Sequence, residues 1–90
     1  MIITFDPAKR DATLAKRGLD FADASDVFAG LTFDLRDERA DYGEVHWITV
    51  GNMTGRMVVV VRAARGEGRH VISMRKANDR EQTRFRDRLE

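Results

Sequence analysis

The chain has 90 residues, of which 42% are hydrophobic and 34% are charged, and it contains no cysteine. This length predicts a single domain over residues 1–90, and the lack of cysteine excludes disulfides and thiolate metal sites. Because there is no signal peptide and no apolar run of membrane length, the sequence predicts a cytoplasmic protein without a membrane span.

The net charge of +1 hides an asymmetry along the chain. Residues 1–55 carry six lysines and arginines against ten aspartates and glutamates, whereas residues 56–90 carry ten against five. A basic half of this kind indicates phosphate binding, and an acidic half can keep the protein soluble or meet a basic partner. A solvated surface without any ligand is the plain alternative.

In the first third of the chain, the sequence predicts one strand and two helices. Residues 2–5 favour a short strand. Asp6 and Pro7 are a typical N-cap and first helical residue, and they predict a helix over residues 7–17. A second helix is predicted over residues 20–29, with a glycine directly after it.

From residue 31 onward the apolar period changes from helical to alternating, which indicates strands. Four strands are predicted, over residues 31–36, 45–50, 57–61 and 69–75. Because tight turns link three of them in a row, the sheet is expected to be antiparallel. Regular alternation in the last strand places Arg75 on one face, and His70, Ile72 and Met74 on the other, with Ile72 and Met74 in the core.

The chain closes with a predicted helix whose first turn contains a capping box, with Glu81 as the reciprocal partner of the N-cap. Three arginines recur at spacing four, a like-charged row that favours an anionic partner: Arg80, Arg84 and Arg88. Because Phe85 and Leu89 are the only apolar residues after the cap, the helix is predicted to dock weakly on its own core. The element order is that of an α+β domain.

Arginines at strand ends and turns are the candidate phosphate ligands. Arg75 ends the last predicted strand and Arg65 lies in the preceding turn, where a guanidinium can hold a phosphate through two hydrogen bonds. An ion pair between Arg75 and a loop carboxylate, such as Asp37 or Glu38, explains the same position equally well.

His46 and His70 are the only two histidines, and each lies in a predicted strand. Either could act as a general base near neutral pH, although a partly buried structural histidine is the commoner case. Two histidines without a nearby acidic cluster make a poor metal site, so neither a metal nor a cofactor is predicted.

Short motifs occur in a recognisable order along nearly the whole chain: Phe5-Asp6-Pro7-Ala8-Lys9, Lys16-Arg17-Gly18, Phe21, Val27-Phe28, Tyr42-Gly43-Glu44, Val50-Gly51, Gly55-Arg56 and Arg65-Gly66. The most specific block is Ile72-Ser73-Met74-Arg75-Lys76-Ala77 with Arg80-Glu81. Together these motifs resemble the BrnT family of type II toxins.

This resemblance implies a RelE-like fold and an endoribonuclease that cleaves RNA and inhibits translation and growth. It also implies a cognate BrnA-like antitoxin with a ribbon-helix-helix part, through which the complex binds operator DNA. The family's basic positions fall on Lys16, Arg56, Arg65, Arg75 and Arg80, and its acidic position falls on Glu81. Three residues depart from the pattern, because Arg17, Thr13 and His46 stand where histidine, asparagine and arginine are common.

The mechanism favoured by these residues needs no metal: the 2′-hydroxyl of the RNA attacks the adjacent phosphate, and Arg75 and Arg65 stabilise the developing charge. Lys16, Glu81 and His46 are candidates for proton transfer, in no fixed order. Further RNA contacts are predicted at Arg56, Lys76, Arg80 and Arg84. The alternative is a non-catalytic module whose basic surface docks a nucleic acid or a protein; a repressor that binds DNA alone lacks a helix-turn-helix pattern.

Overall fold

The computed structural model describes residues 2–89, which form five strands and three α-helices. In chain order the elements are β1 (Ile2–Phe5), α1 (Pro7–Arg17), a 3-10 turn (Phe21–Asp23), α2 (Ala24–Ala29), β2 (Thr32–Arg36), β3 (His46–Met53), β4 (Arg56–Arg65), β5 (Gly68–Lys76), α3 (Asp79–Phe85) and a second 3-10 turn (Arg86–Arg88). The predicted α+β class and element order are therefore confirmed.

Local capping signals explain where α1 begins and ends. The Asp6 side chain accepts a hydrogen bond of 3.0 Å from the backbone N–H of Ala8. Gly18 follows the helix with φ of 68°, a left-handed conformation that glycine adopts without strain, and its N–H donates to the Leu14 carbonyl. The second predicted helix is instead divided, because its first turn, capped by Asp20, is a 3-10 turn.

The strand order across the sheet is β1-β5-β4-β3-β2. Strands β2 to β5 pair antiparallel, as predicted, but β1 pairs parallel with β5 at the edge. The sheet is therefore mixed: the antiparallel pairing predicted for the four later strands is confirmed, and the parallel pairing of β1 was not predicted. The reason is physical, because turn residues report only on strands that are neighbours in the sequence.

Both faces of the sheet carry an apolar core. On one face, here called the α2 face, the buried residues include Phe21, Val27, Val60 and Met74. On the opposite face, the α3 face, the buried cluster comprises Val50, Val59, Ala77, Phe85 and Leu89. Phe85 is only 3% exposed, so two well-placed apolar residues are enough to bring the last helix against the core, while the weak docking of this helix stays a prediction.

A β-bulge in β5 changes which residues share a face. Val61 pairs with Ser73 but Arg62 pairs with Val71, so Ile72 is an extra residue. His70, Ser73 and Arg75 therefore pair with every second residue of β4. Because every second residue of a strand projects to the same face, all three project to the α3 face.

The predicted facing of the last strand is consequently wrong. His70 and Arg75 share the α3 face, and Ile72 is half-buried rather than part of the core. Met74 lies in the core as predicted, and Val71 joins it there on the α2 face, although the two are three residues apart. One extra residue inverts the alternation, and the sequence pattern carries no sign of it.

Within residues 2–89, no helix is both long enough and apolar enough to cross a membrane.

Candidate active site

Two histidines lie side by side at one end of the α3 face. His46 pairs with Ala63, Ala63 pairs with His70, and His70 pairs with Thr4 of β1. Because directly paired residues project to the same face and strands are about 4.8 Å apart, the two histidine Cα atoms are about 10 Å apart. Both histidines line one cavity of about 360 Å³, here called the histidine pocket, which Tyr42, Glu44 and Arg65 also line.

His70 is held by its strand neighbour. Its Nδ1 atom is 2.8 Å from the Thr4 hydroxyl oxygen. The pKa of His70 is lowered from 6.5, first by burial and then by the positive charge of Arg65. The imidazole is therefore neutral at pH 7, and when Nδ1–H donates to Thr4, Nε2 is free to accept a proton.

Glu44 links Arg65 and His46 within the histidine pocket. Its Oε1 atom lies 3.0 Å from Arg65 Nη2 and 3.5 Å from His46 Nε2. The Arg65 hydrogen bonds are the main reason that the pKa of Glu44 lies below its usual value. Tyr42 stacks on the His46 ring with the centroids 4.1 Å apart. An ionised carboxylate and an aromatic ring thus fix the positions of Arg65 and His46.

The charged loop after β2 is anchored by Asp37, which is 5% exposed. Its carboxylate accepts hydrogen bonds from Arg39 Nε and Nη2, at 2.8 and 2.7 Å, and from the Tyr42 hydroxyl at 3.1 Å. Asp37 therefore positions Tyr42 against the histidine pocket. The predicted alternative, an ion pair between Arg75 and a loop carboxylate such as Asp37 or Glu38, is wrong in its partner, since Asp37 pairs with Arg39 and Glu38 lies near Arg36.

Arg75 is instead paired with Glu81. The two side chains form parallel hydrogen bonds of 2.7 Å (Nη1 to Oε1) and 2.8 Å (Nη2 to Oε2). Glu81 Oε1 also accepts from the backbone N–H of Asn78, and Asn78 Oδ1 accepts from the N–H of Glu81. The predicted capping box is confirmed. Chiefly through Arg75, the pKa of Glu81 falls to about 2.

The Arg75–Glu81 pair and the histidine pocket occupy the same face at different heights. Arg75 pairs with Val59, which pairs with Val50, a residue four positions along β3 from His46. At the rise of an antiparallel strand, this separation is about 13 Å. Half-buried Ile48, Val61 and Ser73 lie between. The face therefore presents two basic positions on either side of a largely apolar strip.

Lys16 lies elsewhere. It lines a separate cavity of about 260 Å³ between α1 and β5, here called the α1 groove, whose other lining includes Lys9, Thr13, Arg17 and Ser73. Neither histidine lines this groove. The structure therefore does not bring Lys16 together with the other candidates for proton transfer.

The four predicted RNA contacts, Arg56, Lys76, Arg80 and Arg84, are all exposed. Arg80 and Arg84 lie on α3, where the Arg84 guanidinium is 4.9 Å from the centre of the Phe85 ring. Lys76 pairs with Val58 and so projects from the α2 face, away from Arg75. Only the α3 pair thus extends the face that carries the histidine pocket.

Sequence reasoning named His70 only as a possible general base, and it did not assign Glu44, Tyr42 or Thr4 to the site. The presence of both histidines in strands was a usable signal, but their meeting depends on the strand register and on the bulge. Among residues 2–89, no group of three or more histidine, aspartate and glutamate side chains is placed to hold a metal ion.

The comparison with protein families agrees with the motifs in the sequence. Residues 5–81 match the family model described as the ribonuclease toxin, BrnT, of type II toxin-antitoxin systems. A comparison with curated proteins gives no match. The matched segment contains the lining of the histidine pocket and the Arg75–Glu81 pair. Because the match covers most of the 90 residues, the chain belongs to the BrnT family of ribonuclease toxins of type II toxin–antitoxin systems.

Proposed function

We propose that this toxin is an endoribonuclease in which a ribose 2′-hydroxyl attacks the adjacent phosphate without the help of a metal ion. The observation that carries the proposal is the placement of His46, His70 and Arg65 around one cavity. Two titratable groups and one permanent cation are the set that such a reaction uses.

The reaction balances within the RNA strand. A base removes the 2′-hydroxyl proton, the 2′-oxygen forms a bond to phosphorus, and the bond from phosphorus to the 5′-oxygen breaks. An acid then protonates the leaving 5′-oxygen. The products carry a 2′,3′-cyclic phosphate on one fragment and a 5′-hydroxyl on the other.

The role of base is assigned to His70, because its lowered pKa keeps the ring neutral and Thr4 can hold its Nδ1–H. His46 lies on the other side of Ala63 and is assigned as the acid, with Glu44 orienting its ring. General acid and base groups each contribute roughly 10²- to 10⁴-fold in rate. Glu81 is left out, since the cap and Arg75 already use its carboxylate.

Arg65 is assigned to stabilise the charge that develops on the phosphate, a contribution on the order of 3 kcal/mol in a preorganised site. Its Nε and Nη2 atoms contact Glu44, while its Nη1 donates to no group within residues 2–89 and is available to the substrate. Arg75, Arg80 and Arg84 are assigned to the RNA strand beyond the cut. Arg56 and Lys76 have lesser roles, because Lys76 projects from the opposite face.

As a type II toxin, the chain has a cognate antitoxin. The proposed antitoxin is a BrnA-like protein with a ribbon-helix-helix part, which neutralises the toxin and binds operator DNA in complex with it. RNA cleavage in the cytoplasm would then inhibit translation and growth. A short reading frame of that kind beside the toxin gene is the simplest support for this pairing.

The decisive experiment compares two RNA oligonucleotides that differ by one deoxyribose at the cut site. The wild-type toxin should cleave the all-ribose strand in the presence of EDTA, leave a cyclic phosphate, and bind the deoxyribose strand without cutting it. His70→Gln should bind both strands and cleave neither. Cleavage of the deoxyribose strand, or loss of cleavage in EDTA, would refute the mechanism; binding without any cleavage would favour a docking module.

A further inference from the structure

The α1 groove contains several cations and no carboxylate, unlike the histidine pocket, which Asp6 and Glu44 also line. Lys9, Lys16 and Arg17 line it together with the hydroxyl groups of Thr13 and Ser73, and none of its lining residues is acidic. Within residues 2–89, neither lysine forms an ion pair, whereas Arg39, Arg65 and Arg75 all do. These two charges are therefore available to an external anion.

The groove exists because β1 is shorter than β5. The pairing of β1 ends where Phe5 meets Val71, and the next part of β5 has α1 beside it instead of a strand, in the part of the chain that the structure describes. Arg17 crosses from the end of α1 to donate a 2.8 Å hydrogen bond to the Met74 carbonyl. This contact satisfies a backbone oxygen at the open edge and holds α1 against β5.

Helix electrostatics explains only part of this charge. Lys16 and Arg17 lie in the last turn of α1, where cations interact favourably with the helix dipole. Lys9 lies in the first turn, where a cation is unfavourable, and that turn contains no acidic residue. The helix dipole therefore does not account for the charge of Lys9.

The α1 groove and the histidine pocket are neighbouring cavities that share part of their lining. Lys9 and Ile72 line both cavities, and the positive charge of Lys9 contributes to lowering the pKa of His70. An RNA strand with one phosphate in the histidine pocket would therefore have the cations of the neighbouring α1 groove close to its next phosphate. An acidic peptide would explain the charge but not the position of the groove beside the proposed site of cleavage.

We propose that the α1 groove binds a phosphodiester group of RNA next to the one that is cleaved, with Lys9 and Lys16 as its cationic ligands. This inference rests on the proposed ribonuclease function. It reassigns Lys16 from proton transfer to the binding of substrate, and it gives Arg17 the positioning role of holding the groove closed against β5.

The test uses a single-stranded octanucleotide with 2′-O-methyl groups throughout, which has no hydroxyl to attack. Its Kd is measured against KCl concentration for the wild type and for Lys16→Ala. Each phosphate contact in a single strand contributes about 0.7 to the slope of log K against log salt. Lys16→Ala should therefore lower the slope by about 0.7 and weaken binding about fivefold at low salt. On cleavable RNA, its loss should appear in KM rather than in kcat.

The matched control is Arg36→Ala, which removes one exposed positive charge from β2, the opposite edge strand. Its slope should equal that of the wild type. A Lys16→Ala slope equal to those of the wild type and Arg36→Ala would overturn the inference. The inference would also be overturned if Lys16→Ala weakened the binding of a hexaglutamate peptide but left the slope for RNA unchanged. The methylated probe cannot be cleaved, so a change in its slope for Lys16→Ala reports on the groove even if the protein proves not to cleave RNA. If the wild type cleaves RNA but the Lys16→Ala slope is unchanged, only the groove proposal fails and the proposed ribonuclease function stands.

Discussion

Arg75 and Glu81 hold each other through two parallel hydrogen bonds, and the same glutamate caps the helix that follows the strand. The ion pair and the helix cap thus account for this carboxylate together. A phosphate that binds Arg75, as proposed, would have to compete with Glu81, so the affinity of Arg75 for RNA should depend on the competition between these two anions.

Replacing Arg75 with alanine should abolish growth arrest while leaving the fold intact. The pair is partly exposed and the Asn78–Glu81 cap remains, so the free energy of unfolding should fall by about 1 kcal/mol or less. RNA binding should weaken about tenfold or more, because a hydrogen bond between charged groups is lost. Growth after induction and thermal unfolding are the two measurements. A folded, soluble Arg75→Ala toxin that still arrests growth would contradict the role of Arg75.

Glu81→Gln should make the toxin less sensitive to acid. The pKa of Glu81 is lowered from 4.5 to about 2, so its ionised form stabilises the folded state above pH 4.5, and this contribution disappears as the pH falls toward 2. Glutamine has no such titration, although its carbonyl can still cap. The wild type should lose more stability than Glu81→Gln between pH 4.5 and 2, as measured by urea unfolding. Parallel losses would show that the pair contributes nothing measurable.

NMR titration should show His70 with a pKa below 6.5, and Arg65→Ala should raise it. Burial is the main cause of the lowered pKa, and the Arg65 charge is the next. Because protonation is disfavoured in the folded state, His70 adds stability above pH 6.5 that is lost as the pH falls through its folded pKa. Arg86→Ala, which removes a cation from the far end of α3, is the control and should leave His70 unchanged. If the pKa of His70 were the same in Arg65→Ala as in the wild type, the charge of Arg65 would have no effect on His70.

Phe85→Ala should destabilise the protein by about 3–5 kcal/mol, since Phe85 is one of the two residues that seat α3. Its ring lies 5.1 Å from that of Phe33 across the core. Arg84→Ala, at the exposed neighbouring position, is the control and should change stability by less than about 0.5 kcal/mol. Chemical denaturation measures both. Similar values for the two variants would mean that α3 is not anchored by Phe85.

Gly51→Ala should destabilise the protein by about 1–3 kcal/mol. A methyl group there would lie 2.7 Å from Val27 Cγ1 and 3.3 Å from Thr32 Cγ2, so α2 would have to move away from β3. Gly30→Ala is the matched control, because its added methyl group meets nothing closer than 3.9 Å. That control should be neutral or slightly stabilising. Equal stability of the two variants, measured by thermal unfolding, would refute the close approach.

Features that depend on a few neighbouring residues could be predicted from the sequence. The Asp6 cap, the left-handed Gly18 and the Asn78–Glu81 box involve partners within four positions, and all three are confirmed. The family resemblance is likewise carried by short motifs. These signals are local because a cap or a turn is satisfied by the residues next to it.

Features that depend on register could not be predicted in the same way. The pairing of β1 with β5 joins the two ends of the chain, and no turn residue reports it. The neighbourhood of Glu44, Tyr42 and the two histidines is assembled from three strands and a loop. The RelE-like likeness and the catalytic roles remain predictions, since topology alone identifies neither.

The bulge at Ile72 makes the composition of the α3 face depend on the length of β5 rather than on the identity of any one residue. Without it, residues five positions apart would project to opposite sides, and His70 and Arg75 would be separated by the thickness of the sheet. A point substitution in β5 leaves this count unchanged. Removing a single residue between positions 70 and 75 would move each later residue of β5 to the opposite face of the sheet. The strand should therefore tolerate changes of side chain far better than changes of length.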